Sequence, residues 1–354
     1  MNTQLDLFDS IANCDNSVIN EESSILNALD SEEFNIKPLS TRIIDGFQIS
    51  GFIFVMDDYP QIYKKLAMIV PDENINFSNF GRETAIACET ICAAICHQMN
   101  WDYLRSAVFK KTAMQSQWVE PLYLKTISTR EIQELFVDYN KSEKIRAEER
   151  TKLLRSLGSC ITNNGNNFKG IFLNEHMTLN DANYIINILL SCSAFSNDPE
   201  EKKLQLLFQK LSNYQGFESL GNICKPTIDY HVIRCFLRRG LVHPVTKYAK
   251  EYIFNVSAER KENTIGALRS LCSEVILNLS WLTTLNVNII NRIEWWLGRS
   301  VCIEDDPDCL LNHNDAAWLK EHFDKCPFYR YCYAINDDKS YLALNEPTYK
   351  GTSF

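Results

Sequence analysis

From about residue 40 onward, apolar residues recur at helical spacing over most of the chain. Arg82–Lys111, Thr129–Leu157, Leu179–Cys192, Glu200–Leu211, Asp229–Arg239, Asn263–Leu279 and Val287–Leu297 each carry an apolar stripe of period near 3.6, which predicts amphipathic helices. Phe47–Met56 is a short apolar run that reads as a strand or hairpin. No stretch alternates apolar and polar residues between hairpin turns, so the fold is expected to be mainly α. The first forty residues are polar, acidic and weakly patterned, and read as a mobile tail. This divides the chain into a tail (1–40), a helical body (41–300), a cysteine-bearing loop (301–335) and a C-terminal tail (336–354). No internal repeat or low-complexity segment stands out.

The 354 residues are enough for one large domain or two modest ones, and 45% hydrophobic with 23% charged residues is ordinary for a soluble protein. No apolar stretch is long enough for a membrane span, and the N-terminus lacks a secretory signal, so a cytoplasmic protein is expected. The net charge of −9 argues against a nucleic-acid partner until its distribution is considered. Residues 1–40 carry −7 and residues 301–354 carry −5, which leaves +3 on the middle. A basic face on the body is compatible with acidic ends. Thirteen cysteines in a reducing compartment point to buried thiols or metal ligands before disulfides. Cys88, Cys92 and Cys96 repeat every four residues and read as small core side chains on one helix face.

Two segments carry chemistry. The first, CIEDDPDCLLNHNDAAWLKEHFDKCPFYRYC, places Cys302, Cys309, Cys326 and Cys332 in one short loop. Four thiolates from a compact loop can hold a [4Fe–4S] cube. Zinc is the competing reading, but its sites usually show two C-x2–4-C knuckles, which are absent here. The second, KPTIDYHVIRCFLRRGLV, has Asp229 as a good helix N-cap, an apolar face of Val232, Ile233, Phe236 and Leu237, and Gly240 as a stop.

Together these segments resemble the iron–sulfur branch of the helix–hairpin–helix (HhH-GPD) DNA glycosylases, which includes endonuclease III and adenine glycosylase. PTIDYHVIR is similar to the family segment whose aspartate is catalytic, which makes Asp229 the implied catalytic residue and His231 and Arg234 scaffold. The first and last cysteine spacings also match, as does the lead-in WWLGRSVC; residues 310–325 look like an inserted helix, with His313 and His322 as conceivable substitute ligands. The resemblance implies a two-lobed helical fold with a cleft, the cluster lobe combining an N-terminal part with the C-terminal segment. It also implies excision of a modified or mispaired base from double-stranded DNA in base excision repair, by a nucleoid-associated monomer. A non-catalytic DNA-binding or damage-sensing protein on the same scaffold is the alternative.

Bifunctional members add a lysine that forms a Schiff base. No glycine-rich hairpin turn precedes Asp229; NDPEEKKLQLLFQKL stands in its place. This resembles the archaeal 8-oxoguanine glycosylase branch and makes Lys202 the implied nucleophile, with Lys203 beside it; solvated surface lysines are the other reading. His97 and Gln98 fall where the family inserts a wedge into the gap left by the flipped base, or they simply cap a helix end. Gln4, Leu5, Asp6, Leu7 and Phe8 resemble the peptide that docks on the bacterial β sliding clamp, or form the first turn of an amphipathic helix. The sequence identifies no particular base.

Overall fold

A computed structural model describes residues 43–50, 58–71, 80–164, 167–172, 178–197, 201–214, 216–217, 219–254 and 262–344. The clamp-like peptide at residues 4–8 lies outside them. The architecture is mainly helical. A small hairpin, β1 (Ile43–Ile44) and β2 (Phe47–Ile49), turns at Asp45–Gly46 and pairs antiparallel with β3 (Val242–Pro244). The principal helices are α1 (Tyr59–Ile69), α2 (Arg82–Ile95), α3 (Trp101–Met114), α4 (Pro121–Thr126), α5 (Thr129–Leu135), α6 (Ala147–Asn164) and α7 (Leu179–Leu190). They continue with α8 (Lys202–Leu211), α9 (Leu220–Ile223), α10 (Tyr230–Arg239), α11 (Lys247–Phe254), α12 (Glu262–Thr283) and α13 (Val287–Ser300). None of the described helices is long and apolar enough to cross a membrane.

Two of the long predicted helices are broken. Arg82–Lys111 is α2 and α3 joined by a turn at 96–100, and Thr129–Leu157 is α5 and the start of α6 joined by an irregular stretch. The first break is forced by local chemistry. Gln98 adopts φ 53°, outside the helical region, and Asn100 restarts the helix by accepting a hydrogen bond from the Tyr103 N–H at 3.0 Å. Arg150, fully buried on α6, ties the turn down by donating to the carbonyls of Ile95 (3.2 Å) and His97 (2.5 Å).

The buried apolar residues form two groups that meet at one cleft. One core runs from Ala85 to Cys224 and packs α2 against α3, α6 and α8. The other joins Phe47, Ile49, Tyr59, Tyr63 and Leu66 to residues from Ile228 to Leu344, with α10 packed on α13 and α12. An N-terminal part therefore completes the C-terminal lobe. Its polar centre is Arg239 on α10, paired with Glu294 on α13, to which the Tyr63 hydroxyl also donates. Phe328 from the cysteine loop stacks on Tyr59 and Tyr63, with ring centroids 5.0 and 5.4 Å away.

The expected C-terminal tail begins too early. Tyr333–Asn336 is a short helix, Tyr341 and Leu344 are buried, and the carbonyls of Tyr341 and Leu342 accept hydrogen bonds from Arg238. The packed lobe thus extends at least to Leu344.

Candidate active site

Asp229 caps α10. Its backbone is extended (φ −112°, ψ −178°), and Oδ1 accepts a hydrogen bond from the Val232 N–H at 3.1 Å. No hydrogen bond to Oδ2 is made among the described residues. The predicted apolar face is buried, and Gly240 at φ 72° ends the helix, its N–H donating to the Leu237 carbonyl. A helix start fixes the carboxylate's base while leaving it half-exposed at the cleft.

A cavity of about 790 Å³ opens there, and Asp229, Lys202 and Gln98 all line it. These three residues come from three separate helices or turns. Lys202 opens α8 and is half-buried, whereas its neighbour Lys203 is buried and donates from Nζ to the Ala94 carbonyl at 2.7 Å. Lys203 thereby satisfies the C-terminal end of α2, so only Lys202 remains as the cleft-facing lysine of the pair. His97 differs from the expectation. It is 1% exposed, its ring nitrogens find no hydrogen-bond partner among the described residues, and burial followed by the nearby cations of Arg150, Lys203, Arg146 and Lys202 pushes its pKa down. A neutral, core-facing imidazole is no wedge; Gln98 alone of the two borders the cleft.

The cleft wall is richer in cations than the sequence indicated. Lys141 and Lys144 stand exposed at its edge, and Lys210, Arg292 and Arg299 line it. Arg299 pairs with Asp102 at 2.7 Å, joining α13 to α3 across the boundary between the two cores. The local charge therefore favours an anionic ligand although the chain is acidic overall. Lys210 is buried, with Nζ 5.3 Å from the centre of the Trp101 ring. Burial, then the neighbouring Arg292, lowers its pKa from 10.5 to about 7.

The sign of this shift yields a stability prediction. Between about pH 7 and 10.5 the unfolded chain holds a proton on Lys210 that the folded chain has lost, so stability from this group rises with pH across that window. Lys210→Met is expected to flatten that slope and to raise the melting temperature at neutral pH by several degrees, as read from thermal melts between those limits. Unchanged melts would mean that water reaches the amine freely.

His231 behaves as scaffold. Its Nδ1 lies 3.0 Å from Nη2 of Arg234, which can only donate, so Nδ1 is the acceptor and the ring is neutral. Burial sets this; Asp229 opposes it and Arg234 adds to it, leaving the pKa at about 4. Gly298 explains the glycine of WWLGRSVC. A Cβ there would stand 2.7 Å from the His231 Cβ and 3.0 Å from its carbonyl oxygen, so only glycine lets α13 approach α10 this closely.

The far end of α10 grips the cysteine loop. Arg234 Nε donates to the Cys302 carbonyl (2.7 Å), and Arg238 donates to the carbonyls of Ile303 (2.5 Å), Glu304 (2.6 Å) and Leu342 (2.7 Å). The Cys326 N–H donates to the Cys309 carbonyl at 3.0 Å, and the Cys332 thiol donates to the Arg238 carbonyl at 3.4 Å. Burial, then the neighbouring Cys302 and Cys332 thiols, raises Cys309 to about 12; burial, then Cys302, raises Cys332 to about 11. Cys302 moves down, through a hydrogen bond from Cys235 and then the Arg238 and Arg234 cations, against its burial.

Among the described residues no three His, Cys, Asp or Glu side chains are arranged around a single ion. The four loop cysteines nonetheless lie within electrostatic reach of one another around the end of α10. The competing ligands are elsewhere: the Asp308 carboxylate is taken up by the N–H groups of Asn312 and His313, and His313 and His322 are exposed. A thiol-only donor set fits an iron–sulfur cluster better than a mixed metal site. Residues 310–325 pack rather than dangle. Trp318 Nε1 donates to Ser300 Oγ at 3.0 Å, and Lys65 donates to the His322 carbonyl at 2.8 Å.

No protein-family model matches the chain, and no curated protein matches it.

Proposed function

We propose that the protein is a DNA glycosylase that removes a modified or mispaired base, with Asp229 as its catalytic carboxylate. The observation that carries this reading is the meeting of Asp229, Lys202 and Gln98 on one cation-lined cleft between two helical cores. These are residues that resemblance to the helix–hairpin–helix glycosylases singles out separately along the chain. In this reading a nucleotide leaves the duplex and enters the cleft while Gln98 occupies the gap behind it. As the C1′–N bond breaks, the base departs with the bonding electron pair and takes up a proton. The Asp229 carboxylate stabilises the positive charge left on the sugar, and a water adds to C1′ with its proton passing to the carboxylate. In this reading Lys141 and Lys144, exposed at the edge of the cleft, meet backbone phosphates.

Cys302, Cys309, Cys326 and Cys332 would hold a [4Fe–4S] cluster, which supplies structural cohesion and a redox-responsive centre when bound. Arg234 and Arg238 hold its loop against the helix that starts at Asp229.

Lys202 gives the glycosylase a second outcome. Its amine can take the place of water at C1′, expel the base and form an imine with the opened sugar, after which the 3′ phosphate leaves by β-elimination. Borohydride reduction should trap a covalent protein–DNA adduct on a damaged duplex, and Lys202→Ala should abolish it while base release persists at a reduced rate. An adduct of undiminished yield in that variant assigns the amine elsewhere. The glycosylase reading itself is tested by base release from a panel of damaged and modified duplexes. Selective binding with no release by the wild-type protein supports a non-catalytic damage reader on the same cleft.

A further inference from the structure

Cys302, the first cysteine of the loop, is held differently from the others. Its N–H donates to the Leu297 carbonyl at 2.7 Å, and its carbonyl accepts from Arg234 Nε at 2.7 Å and from Arg238 Nη1 at 3.3 Å. Its sulfur is thereby delivered to a fixed place against α10. The sulfurs of Cys326 and Cys332 accept from backbone amides, of Phe328 for the first and of Ile335 and Ala334 for the second. The Cys302 sulfur instead takes donors from two side chains of α10, Arg238 Nη1 at 3.6 Å and the Cys235 thiol. Cys235 and Arg238 stand three residues apart, on one face of the helix.

Cys235 itself lies outside the group of thiols that would hold iron. The strongest thiol neighbours of Cys309, Cys326 and Cys332 lie within the loop, Cys302 among them for all three. The strongest neighbours of Cys235 are Cys302, Arg239 and Glu294, so it touches the group only through Cys302. An iron-bound Cys302 is a thiolate and carries no proton. The proton between the two sulfurs therefore belongs to Cys235, which is the donor. A donor aimed at a ligand sulfur draws electron density from it and favours the more reduced cluster, which raises the reduction potential. Cys235 is 1% exposed, so the bond is made at low local dielectric and water does not compete for it. The chemistry proposed above makes no use of this thiol.

Resting on the cluster assignment made above, we propose that Cys235 is a fifth, non-ligating cysteine that tunes the cluster: its thiol donates a hydrogen bond to the Cys302 sulfur and holds the reduction potential above the value that the four ligands alone would give. Cys235 is thus a positioning residue for the proton at that sulfur. Arg238 adds a cation beside the same atom but also carries the loop, so its removal changes structure and potential together. Cys235 offers the cleaner handle, because its side chain is small and its effect passes through one bond.

The test measures the reduction potential of full-length, iron-loaded protein by voltammetry, for wild type and for Cys235→Ala, Cys235→Val and Cys235→Ser. Alanine and valine remove the donor, and valine also leaves no room for a water to replace it. Both should move the reduced-to-oxidised ratio at a fixed potential about threefold or more toward the oxidised form, a downward shift of about 28 mV or more for one electron. Serine keeps a donor and should restore most of the shift. If Cys235→Ala does not fold, the valine and serine variants carry the same comparison. Wild-type potential in both donor-free variants overturns the inference, as does a serine variant shifted as far as they are. Variants with wild-type circular dichroism and melting that hold no iron make Cys235 a ligand and overturn it equally. Wild-type protein that binds no iron removes the cluster and this inference together. The glycosylase reading fails separately: the expected shifts in a protein that releases no base keep the inference and lose the glycosylase, and base release with unmoved potentials does the reverse.

Discussion

Asp229→Asn should reduce single-turnover base release by about 10³-fold or more, with DNA affinity and folding retained. The substitution isolates charge from structure. Asparagine is as good an N-cap as aspartate, so the hydrogen bond from the Val232 N–H to Oδ1 survives and α10 keeps its start. What disappears is the negative charge at the cleft, the one property that a developing sugar cation requires. Asp229→Ala removes the cap as well and should cost about 1 kcal/mol of stability in addition to the lost rate. The pair of variants therefore separates the residue's two roles. Base release by Asp229→Asn within tenfold of wild type would remove Asp229 from the chemistry, whatever its place in the cleft.

The same helix shows how much of the molecule was legible beforehand. The N-cap, the apolar face and the glycine stop of α10 are local properties, and each appears where the pattern puts it. Apolar periodicity continues through the breaks within Arg82–Lys111 and Thr129–Leu157; the resemblance marked the first, by putting a helix end at His97 and Gln98, and nothing in the pattern marked the second. The first turn depends on Arg150, more than fifty residues away, reaching the carbonyls of Ile95 and His97. Burial of charge was not legible from the sequence. Lys203, for which a solvated position was one of two readings, is buried, as are Arg150, Arg238 and Arg239, because each satisfies carbonyls or a carboxylate that only the folded chain brings near. His97, which the resemblance put at the wedge position, is buried in the core. Lys210 was missed because nothing in its neighbours along the chain distinguishes it from Lys202. Trp101 and Arg292, which define its setting, lie on other helices.

Arg238 is the residue whose loss should cost the most stability. It is 1% exposed, and its guanidinium reaches the carbonyls of Cys302, Ile303, Glu304, Tyr341 and Leu342. No other single side chain described here ties α10, the first cysteine of the loop and the C-terminal turn together. Arg238→Met fills similar volume and leaves those carbonyls buried without donors, at about 1–3 kcal/mol for each that finds no water. Arg238→Lys keeps the charge but offers a single point in place of a planar fork, so it should recover only part of the loss. The expected result for Arg238→Met is a C-terminal lobe that unfolds well below the wild-type transition, with loss of protein-bound iron from cells grown with iron. Base release should fall with it, because α10 loses its anchor at the end opposite Asp229. Arg238→Met protein with wild-type melting and full iron content would show that the loop is held by its own packing, through Phe328 on Tyr59 and Tyr63. Retained stability with iron absent from the wild type as well would remove the cluster and leave the four cysteines as core thiols.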